Sequence, residues 1–301
     1  MQKFTATNEN ANIRLDVYLA GAMDQTRSQT QKLIKRGLVL VNDRVKAPHY
    51  AIKEGDKIII KKEKQEKTKT EKFKLNIVFK NKDLIVIEKQ SGIIVHPPHK
   101  PFDKTTLSDL LVKKFSEIKS VGESMRPGIV HRLDKDVSGL MVVARNKLAF
   151  EHLKNEFKLG NVKKFYTGLV FGKVKDDTGE ITLRIARSSR SKRMAARPES
   201  QEGKEALTYY RVKKRFTNAT LLEIELKTGR THQIRAHFQA IGHPLVGDPL
   251  YKPKKSSKNV SPRIFLHSTI LGFKNLNNEW LEFDSPLPDD LGEYLNELKK
   301  L

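Results

Sequence analysis

The chain has 301 residues, enough for one large domain with a small one or for two medium domains. Its 58 Lys and Arg residues outnumber its 35 Asp and Glu residues, and the net charge of +23 favours a polyanionic partner, RNA or DNA. There is no cysteine, which excludes disulfides, thiolate nucleophiles and cysteine-ligated zinc and fits a reducing cytosol. The alternative reading of the charge is a basic surface that only keeps the protein in solution.

The chain is also expected to remain outside membranes. Its first 14 residues contain no apolar run typical of a secretory signal. Nowhere does an uninterrupted apolar stretch reach the roughly 18 residues that a membrane-spanning helix needs. We therefore expect a cytoplasmic protein, with a monomer as the default oligomeric state.

The first part of the chain predicts a small α/β unit. A short helix begins at Leu15, and a second helix is predicted over 28–35, with Gly37 in the left-handed position just past its end. Two short strands flank Asn42-Asp43, residues that tolerate a tight turn. A last strand is predicted over 57–61.

A highly charged segment divides the chain. The run at 61–72 has no apolar residue and predicts a solvated linker. We accordingly place a small domain at 13–61, a linker at 62–74 and a larger domain at 75–301.

The second helix of the small domain has a basic side. Lys32, Lys35 and Arg36 share one face because they are spaced by three and four residues, a pattern that is also common on solvated helices. The order of helix, basic helix, glycine, hairpin and strand resembles the small alpha-L (S-four type) RNA-binding domain. The resemblance covers about residues 13–61 and implies RNA rather than DNA as the partner.

The larger domain is predicted to be α+β. Strands are predicted at 77–79, 84–89, 92–95, 140–144 and 221–226. A helix over 107–115 begins after Thr106 with a capping box. Thr231 is predicted to cap another helix, which Gly242 ends, and an amphipathic helix that includes Leu291 closes the chain. Strands and helices do not alternate strictly, which favours α+β over a doubly wound sheet.

The segment 128–146 is the first candidate for chemistry. Its charged and polar residues lie between two apolar runs: His131, Arg132, Asp134, Lys135 and Asp136. Charges beside a buried strand are costly unless they are paired or used. These residues either decorate a turn or form part of a functional site.

Several motifs together resemble the RluA-type pseudouridine synthases. The letters HRLDKDVSGL at 131–140 match the family signature that contains the nucleophilic aspartate, here Asp134. KKFYTGLVFG at 163–172 resembles the strand with the active-site tyrosine, here Tyr166. TGRTHQIRAH at 228–237 resembles the segment whose arginine pairs with the aspartate, here Arg235. Segments 86–97 and 242–251 also match, so that the resemblance covers about 75–286. Val137 and Gly168 are small departures from the pattern.

The resemblance implies a fold, a reaction and a set of catalytic residues. It implies a large mixed, mostly antiparallel sheet flanked by helices and loops. It implies isomerisation of uridine without a cofactor, with Asp134, Tyr166 and Arg235 as catalytic residues. Whether the carboxylate attacks the ribose C1′, assists a glycal route or attacks the pyrimidine C6 is left open. The uridine must leave its stack to be reached, and Arg132 is expected to fill the vacated space.

Further residues are predicted to contact RNA. The segment 184–204 is basic, and we interpret it as a loop that closes on the RNA backbone rather than as a merely solvated loop. The predicted contacts comprise His131, Arg132, Arg190, Lys192, Arg193 and Arg230, together with Lys32, Lys35 and Arg36 of the small domain. His232 and His237 lack the spacing and the acidic neighbours of a metal site, so no metal is predicted.

The sequence therefore predicts an RNA pseudouridine synthase. With the small RNA-binding domain in front, the chain resembles the D-type synthases of ribosomal RNA, which implies 23S rRNA of the large subunit, or its precursor particle, as substrate. The alternatives are tRNA or small-subunit rRNA as substrate, or a non-catalytic RNA-binding factor of ribosome assembly.

Overall fold

The structure is a computed structural model that describes residues 2–61, 73–98, 102–188, 193–251 and 261–300. The chain divides into two compact units, Met1–Thr68 and Lys69–Leu301. Most of the predicted linker lies outside the described residues. No helix within the described residues is long and apolar enough to cross a membrane.

The N-terminal unit is a four-stranded sheet with two helices. The strands are β1 (Gln2–Thr5), β2 (Val39–Val41), β3 (Arg44–Val45) and β4 (Lys57–Ile60), and the helices are α1 (Leu15–Ala22) and α2 (Arg27–Lys35). The sheet order is β1-β4-β2-β3, with all pairs antiparallel. Strand β1 precedes the predicted domain start at residue 13, yet pairs with β4 along its whole length.

Local sequence signals explain the turns of this unit. Thr26 and Gln29 form a reciprocal capping box at the start of α2. Gly37 has a φ of 72°, and Asn42 and Asp43 have φ values of 50° and 63°, as a tight hairpin between β2 and β3 requires. Val17, in α1, is exposed.

The second unit is built on a nine-stranded sheet. Its strands are β5 (Asn76–Lys80), β6 (Leu84–Lys89), β9 (Ser138–Ala144), β10 (Lys163–Phe171), β11 (Thr178–Ile181), β14 (Thr208–Arg215), β15 (Ala219–Leu226), β16 (Leu266–Lys274) and β17 (Trp280–Asp284). The order is β11-β14-β15-β10-β16-β9-β6-β5, with β17 beside β16. Only the β16–β9 pair is parallel among the described strands. The predicted α+β class with a mixed, mostly antiparallel sheet is confirmed.

Two small hairpins and four helices complete this unit. The hairpins pair β7 (Gly122–Glu123) with β8 (Arg126–Pro127) and β12 (Arg184–Arg187) with β13 (Met194–Arg197). The helices are α3 (Leu107–Lys114), α4 (Lys147–Leu159), α5 (Gln233–Ala240) and α6 (Asp289–Lys300). The predicted capping box at Thr106 is present, with Asp109 as its partner.

Two predictions about local structure were wrong. Residues 92–95 form no strand, because the Gly92 amide bonds the oxygen of Lys135, while the oxygens of Ile94 and Val95 accept the amides of the first two residues of α3. Thr231 does not cap α5: the N-cap residue is His232, which has a φ of 55° and makes no side-chain cap bond.

Strand β9 forms the centre of the hydrophobic core. All seven of its residues are buried, since Met141 and Val143 pack on one face while Leu140 and Val142 pack on the other. Gly139 has a φ of 117°, and a Cβ there would lie 2.3 Å from the backbone oxygen of Ser268. The glycine therefore permits the close parallel contact of β9 with β16. The loop that carries Asp134 leads directly into this rigid strand.

Candidate active site

Asp134 lies in a loop whose backbone is hydrogen-bonded to the end of β6 and to the segment that follows it. The oxygen of Lys135 accepts bonds from the Lys89 side chain, at 2.9 Å, and from the Gly92 amide, at 2.9 Å. The Ser91 hydroxyl donates to the oxygen of Asp136. These bonds fix the backbone immediately after Asp134, and hence the position of its side chain.

Arg235 joins two carboxylates. From α5, its Nη1 donates to Oδ2 of Asp134 at 2.9 Å. Its Nε and Nη2 donate to Oδ2 and Oδ1 of Asp248, at 2.7 and 2.9 Å. The side chain of Asp248 is fully buried, and its Oδ1 also accepts bonds from two backbone amides, those of Leu250 and Tyr251. A bidentate pair thus sets the direction of the guanidinium that faces Asp134.

The electrostatics of Arg235 follow from this bridge. Burial by itself disfavours the guanidinium charge, but the bonds and charge of Asp248, with the charge of Asp134, outweigh burial and raise the pKa of Arg235. Arg235 is therefore a permanent cation held against the Asp134 carboxylate. The predicted pairing of these two residues is present in the structure.

Tyr166 lies on β10 and lines the same pocket as Asp134. It is buried, and burial raises the pKa of its phenol well above the usual value, while a bond with the Ser268 side chain opposes the rise and the charge of Asp134 adds to it. The phenol is consequently neutral near neutral pH.

His232 approaches Asp134 from the start of α5. Its Nε2 lies 3.7 Å from Oδ2 of Asp134, and its Nδ1 lies 3.2 Å from the Tyr251 hydroxyl. That hydroxyl also donates to the oxygen of Met194 at 2.9 Å. Burial lowers the pKa of His232, although Asp134 opposes this effect.

These groups surround a pocket of about 340 Å³. The basic residues of its wall are His96, Arg126, His131, Arg132, Lys164, Arg230, His232 and Arg235. Among the described residues that line the wall, Asp134 is the single acid, and it is already paired with Arg235. A pocket of this size and charge suits a small anionic group such as a nucleotide.

The predicted RNA contacts fall into several groups. Arg132 and Arg230 line the pocket, where Arg132 is exposed and bonds His96. His131 also lines it, but its ring stacks on Phe157 and its Nε2 accepts the amide of Val142. Burial lowers the pKa of His131 to about 3, so it supplies no charge for RNA near neutral pH.

The remaining predicted contacts lie elsewhere in the chain. Arg193 donates to the oxygen of Leu250 and lies over the Tyr251 ring. Lys32 and Lys35 lie exposed in α2 of the N-terminal unit, and Arg36 is its C-cap. Arg190 and Lys192 lie outside the described residues.

Several groups around the site were not identified from the sequence. Asp248 and Lys89 were not singled out, although both lie in segments that match the family, and His232 was considered only as a metal ligand. A signal for Lys89 was present, since the apolar run of β6 is followed by Glu88 and Lys89, and strand alternation places Lys89 on the same side as the apolar Ile85 and Ile87. His237 is buried and bonds Thr208 and the oxygen of Leu183. No group of three or more His, Asp or Glu side chains in the described ranges could hold a metal ion.

Comparisons with known proteins show which family the chain belongs to. The family described as RNA pseudouridylate synthase matches residues 83–240, and the S4 domain matches residues 13–58. A Bacillus subtilis protein named "Uncharacterized RNA pseudouridine synthase YlyB" is 36% identical over 300 residues, which cover 98% of this chain and 97% of that protein. The Haemophilus ducreyi protein "Ribosomal large subunit pseudouridine synthase D" is 37% identical over 306 residues, which cover 95% of this chain and 91% of that protein.

A solved structure agrees as well. The structure of "Human RNA Pseudouridylate Synthase Domain Containing 1" superimposes with a TM-score of 0.59 at 25% identity, and covers 76% of this chain and 96% of that chain. The family model matches more than half of the chain, and relatives above 30% identity span nearly all of it. The chain therefore belongs to the RNA pseudouridylate synthase family of isomerases, in its RluA type, and carries an N-terminal S4 domain.

Proposed function

We propose that this isomerase converts specific uridines of large-subunit rRNA to pseudouridine, with Asp134 as the reacting carboxylate. The observation that carries the chemistry is the position of Asp134: it is the single acid among the described residues of a basic pocket, and a fixed arginine pairs with it. The choice of RNA is supported by relatives in three organisms that are named ribosomal large subunit pseudouridine synthase D.

The reaction rearranges one nucleotide without oxidation. The bond from N1 of uracil to C1′ breaks, the base turns, and a bond from C5 to C1′ forms. C5 then loses its proton and N1 gains one, so the atoms balance without a co-reactant. Asp134 can assist by bonding to C1′, by stabilising positive charge there, by promoting a glycal, or by adding to C6.

In this proposal Arg235 orients the carboxylate of Asp134 through the bond from its Nη1. The guanidinium is itself anchored, because Asp248 occupies its other two nitrogens. Asp248 is accordingly a positioning residue that acts through Arg235.

Tyr166 is assigned to holding the detached base. Its side chain lines the same pocket as Asp134 and offers a flat face on which uracil can stack. The raised pKa of Tyr166 disfavours a role as the C5 proton acceptor, because phenolate is scarce near neutral pH. Arg132, exposed at the pocket, is assigned to the space that the flipped uridine leaves in the RNA.

The remaining assignments complete the proposal. The S4 domain and its basic helix α2 contact RNA outside the pocket, and the protein acts as a monomer in the cytoplasm. Relatives named for the large subunit favour rRNA of that subunit over tRNA and small-subunit rRNA. A non-catalytic assembly factor is disfavoured, since it would have no chemical reason to hold a carboxylate where RNA phosphates approach.

The test uses purified full-length protein and transcripts labelled with tritium at C5 of uridine. Transcripts of large-subunit rRNA, small-subunit rRNA and tRNA are compared, because tritium leaves C5 only when the new bond is made. We expect release from large-subunit rRNA by the wild type and none by Asp134→Asn, which binds the RNA with unchanged affinity.

Each part of the proposal can fail separately. Release from tRNA or small-subunit rRNA alone would overturn the choice of substrate while leaving the chemistry intact. Release by Asp134→Asn at the wild-type rate would overturn the assignment of the carboxylate. Asp136→Asn is the matched control, since Asp136 is a neighbouring acid that does not line the pocket, and it should retain release.

A further inference from the structure

The pocket wall contains a cation that the roles above do not use. Lys164 lies on β10 two residues before Tyr166, so both side chains face the same side of the sheet. Both line the pocket. Lys163, which precedes it, faces the other side and bonds Glu282 at 2.9 Å.

Lys164 is buried without an acidic partner. It is 7% exposed, and no carboxylate of the described residues lies within ion-pair distance of its Nζ. Glu225, the acid that acts on it, is already paired with Lys227. The Nζ lies 5.8 Å from the centre of the Phe157 ring. Burial, followed by the charges of Lys227 and Arg230, lowers the pKa of Lys164 to about 8, so the ammonium form still dominates near pH 7.

A buried ammonium without a counter-charge is costly, and the cost is recovered when an anion binds. The surroundings favour an anion, because Arg132 and Arg230 line the same pocket and the single acid among its described lining residues is paired with Arg235. In an RNA substrate, the phosphodiester is the anion that each nucleotide brings with it. Uracil itself is neutral and would compensate the ammonium far less.

We propose that Lys164 forms a phosphate subsite of the pocket, which binds a phosphodiester adjoining the nucleotide whose base stacks on Tyr166. This inference deepens the proposed function and rests on its RNA chemistry, but not on which RNA is modified. The subsite fixes the backbone of the extruded nucleotide, so that its ribose is held beside Asp134. Lys164 is thereby a substrate-binding residue.

The test measures binding of uridine 3′,5′-bisphosphate and of uridine to the full-length protein by calorimetry at low salt. These probes share the base and the ribose, so the ratio of their affinities reports on phosphate alone. We expect the wild type to prefer the bisphosphate by at least tenfold. A tenfold preference corresponds to about 1.4 kcal/mol, which one charge-assisted hydrogen bond can supply.

Three variants isolate Lys164. Lys164→Gln should reduce the bisphosphate preference by about tenfold and leave the uridine affinity unchanged, which also shows that the pocket is intact. Lys164→Arg should keep the preference. Lys163→Gln, the matched control, should behave as the wild type because its ammonium faces away from the pocket.

The outcomes separate this inference from the proposed function. A wild type without the preference, or a Lys164→Gln variant that retains it, overturns the subsite. If Lys164→Gln does not fold, loss of the preference in a folded Lys164→Arg overturns it instead. A preference that depends on Lys164 together with no tritium release from large-subunit rRNA would leave the subsite standing and remove the substrate assignment.

Discussion

The bridge from Asp248 through Arg235 to Asp134 makes a quantitative prediction for Asp248→Asn. The substitution keeps the shape of the side chain but replaces Oδ2, which accepts Nε of Arg235 at 2.7 Å, with an amide that cannot accept. Removal of one partner from a buried ion pair costs about 3–5 kcal/mol. Because Asp134 still faces the guanidinium, we expect the lower end of this range, about 3 kcal/mol.

The assay for stability is urea unfolding followed by the fluorescence of Trp280. This residue is the chain's one tryptophan and lies in β17, so the signal reports on the unit Lys69–Leu301. With a denaturant dependence of about 2 kcal/mol per molar, the urea midpoint should fall by about 1.5 M. Tritium release should also fall by at least tenfold, since the cation that orients Asp134 is no longer anchored.

The matched control is Asp290→Asn. Asp290 also pairs with an arginine, with its Oδ2 2.6 Å from Nε of Arg263, but its side chain is 44% exposed and does not line the pocket. Such a pair contributes less than about 1 kcal/mol, so midpoint and activity should stay close to the wild type. If Asp248→Asn matched this control in both measurements, the anchoring argument would be refuted.

Three further perturbations test the fold around the site. Gly139→Ala should destabilise the catalytic unit by more than about 2 kcal/mol, because the added Cβ would overlap the backbone of β16. Gly292→Ala is the control: no atom lies within 4 Å of an added Cβ at this position in α6, so the substitution should stabilise the unit by about 0.5–1 kcal/mol. The urea midpoints of the two variants, compared with the wild type, test both expectations. Lys89→Met should lower tritium release about tenfold, because the loop at Lys135 loses the hydrogen bond from the Lys89 ammonium. The urea midpoint should change little, because the substitution also removes a buried charge. An unchanged rate of tritium release would contradict this expectation. In the folded protein the pKa of His131 is about 3, whereas in the unfolded chain His131 takes up a proton below about pH 6.5. The contribution of His131 should therefore lower the free energy of unfolding by about 1.4 kcal/mol per pH unit as the pH drops from about 6.5 toward 3. Urea midpoints measured across this pH range should show a smaller slope for His131→Gln than for the wild type.

Local signals predicted much of the fold. The capping box at Thr106, the left-handed Gly37 and the buried strand β9 each depend on a few neighbouring residues, and the structure contains all three. The wrong strand at 92–95 has the same apolar composition as a real one. Its backbone instead bonds two other parts of the chain, Lys135 through the Gly92 amide and the start of α3 through the oxygens of Ile94 and Val95.

The active site, too, depends on contacts between residues that are far apart in the chain and that the sequence does not reveal. The pairing of Asp134 with Arg235 was implied by family resemblance, since 101 residues separate them in the chain and spacing alone cannot connect them. Asp248 gives no local signal of its role, because its importance arises only from the guanidinium that folding brings beside it. His232 was expected to be part of the helix that Thr231 caps, but its left-handed backbone instead directs the ring toward the carboxylate.

The central claim is tested most directly by mapping pseudouridines in total RNA from cells that lack this gene, complemented with the wild type or with Asp134→Asn. We predict that particular uridines of large-subunit rRNA stay unmodified in the deletion, and that the wild type alone restores them. A pseudouridine map that does not change on deletion, or that Asp134→Asn restores in full, would contradict the account.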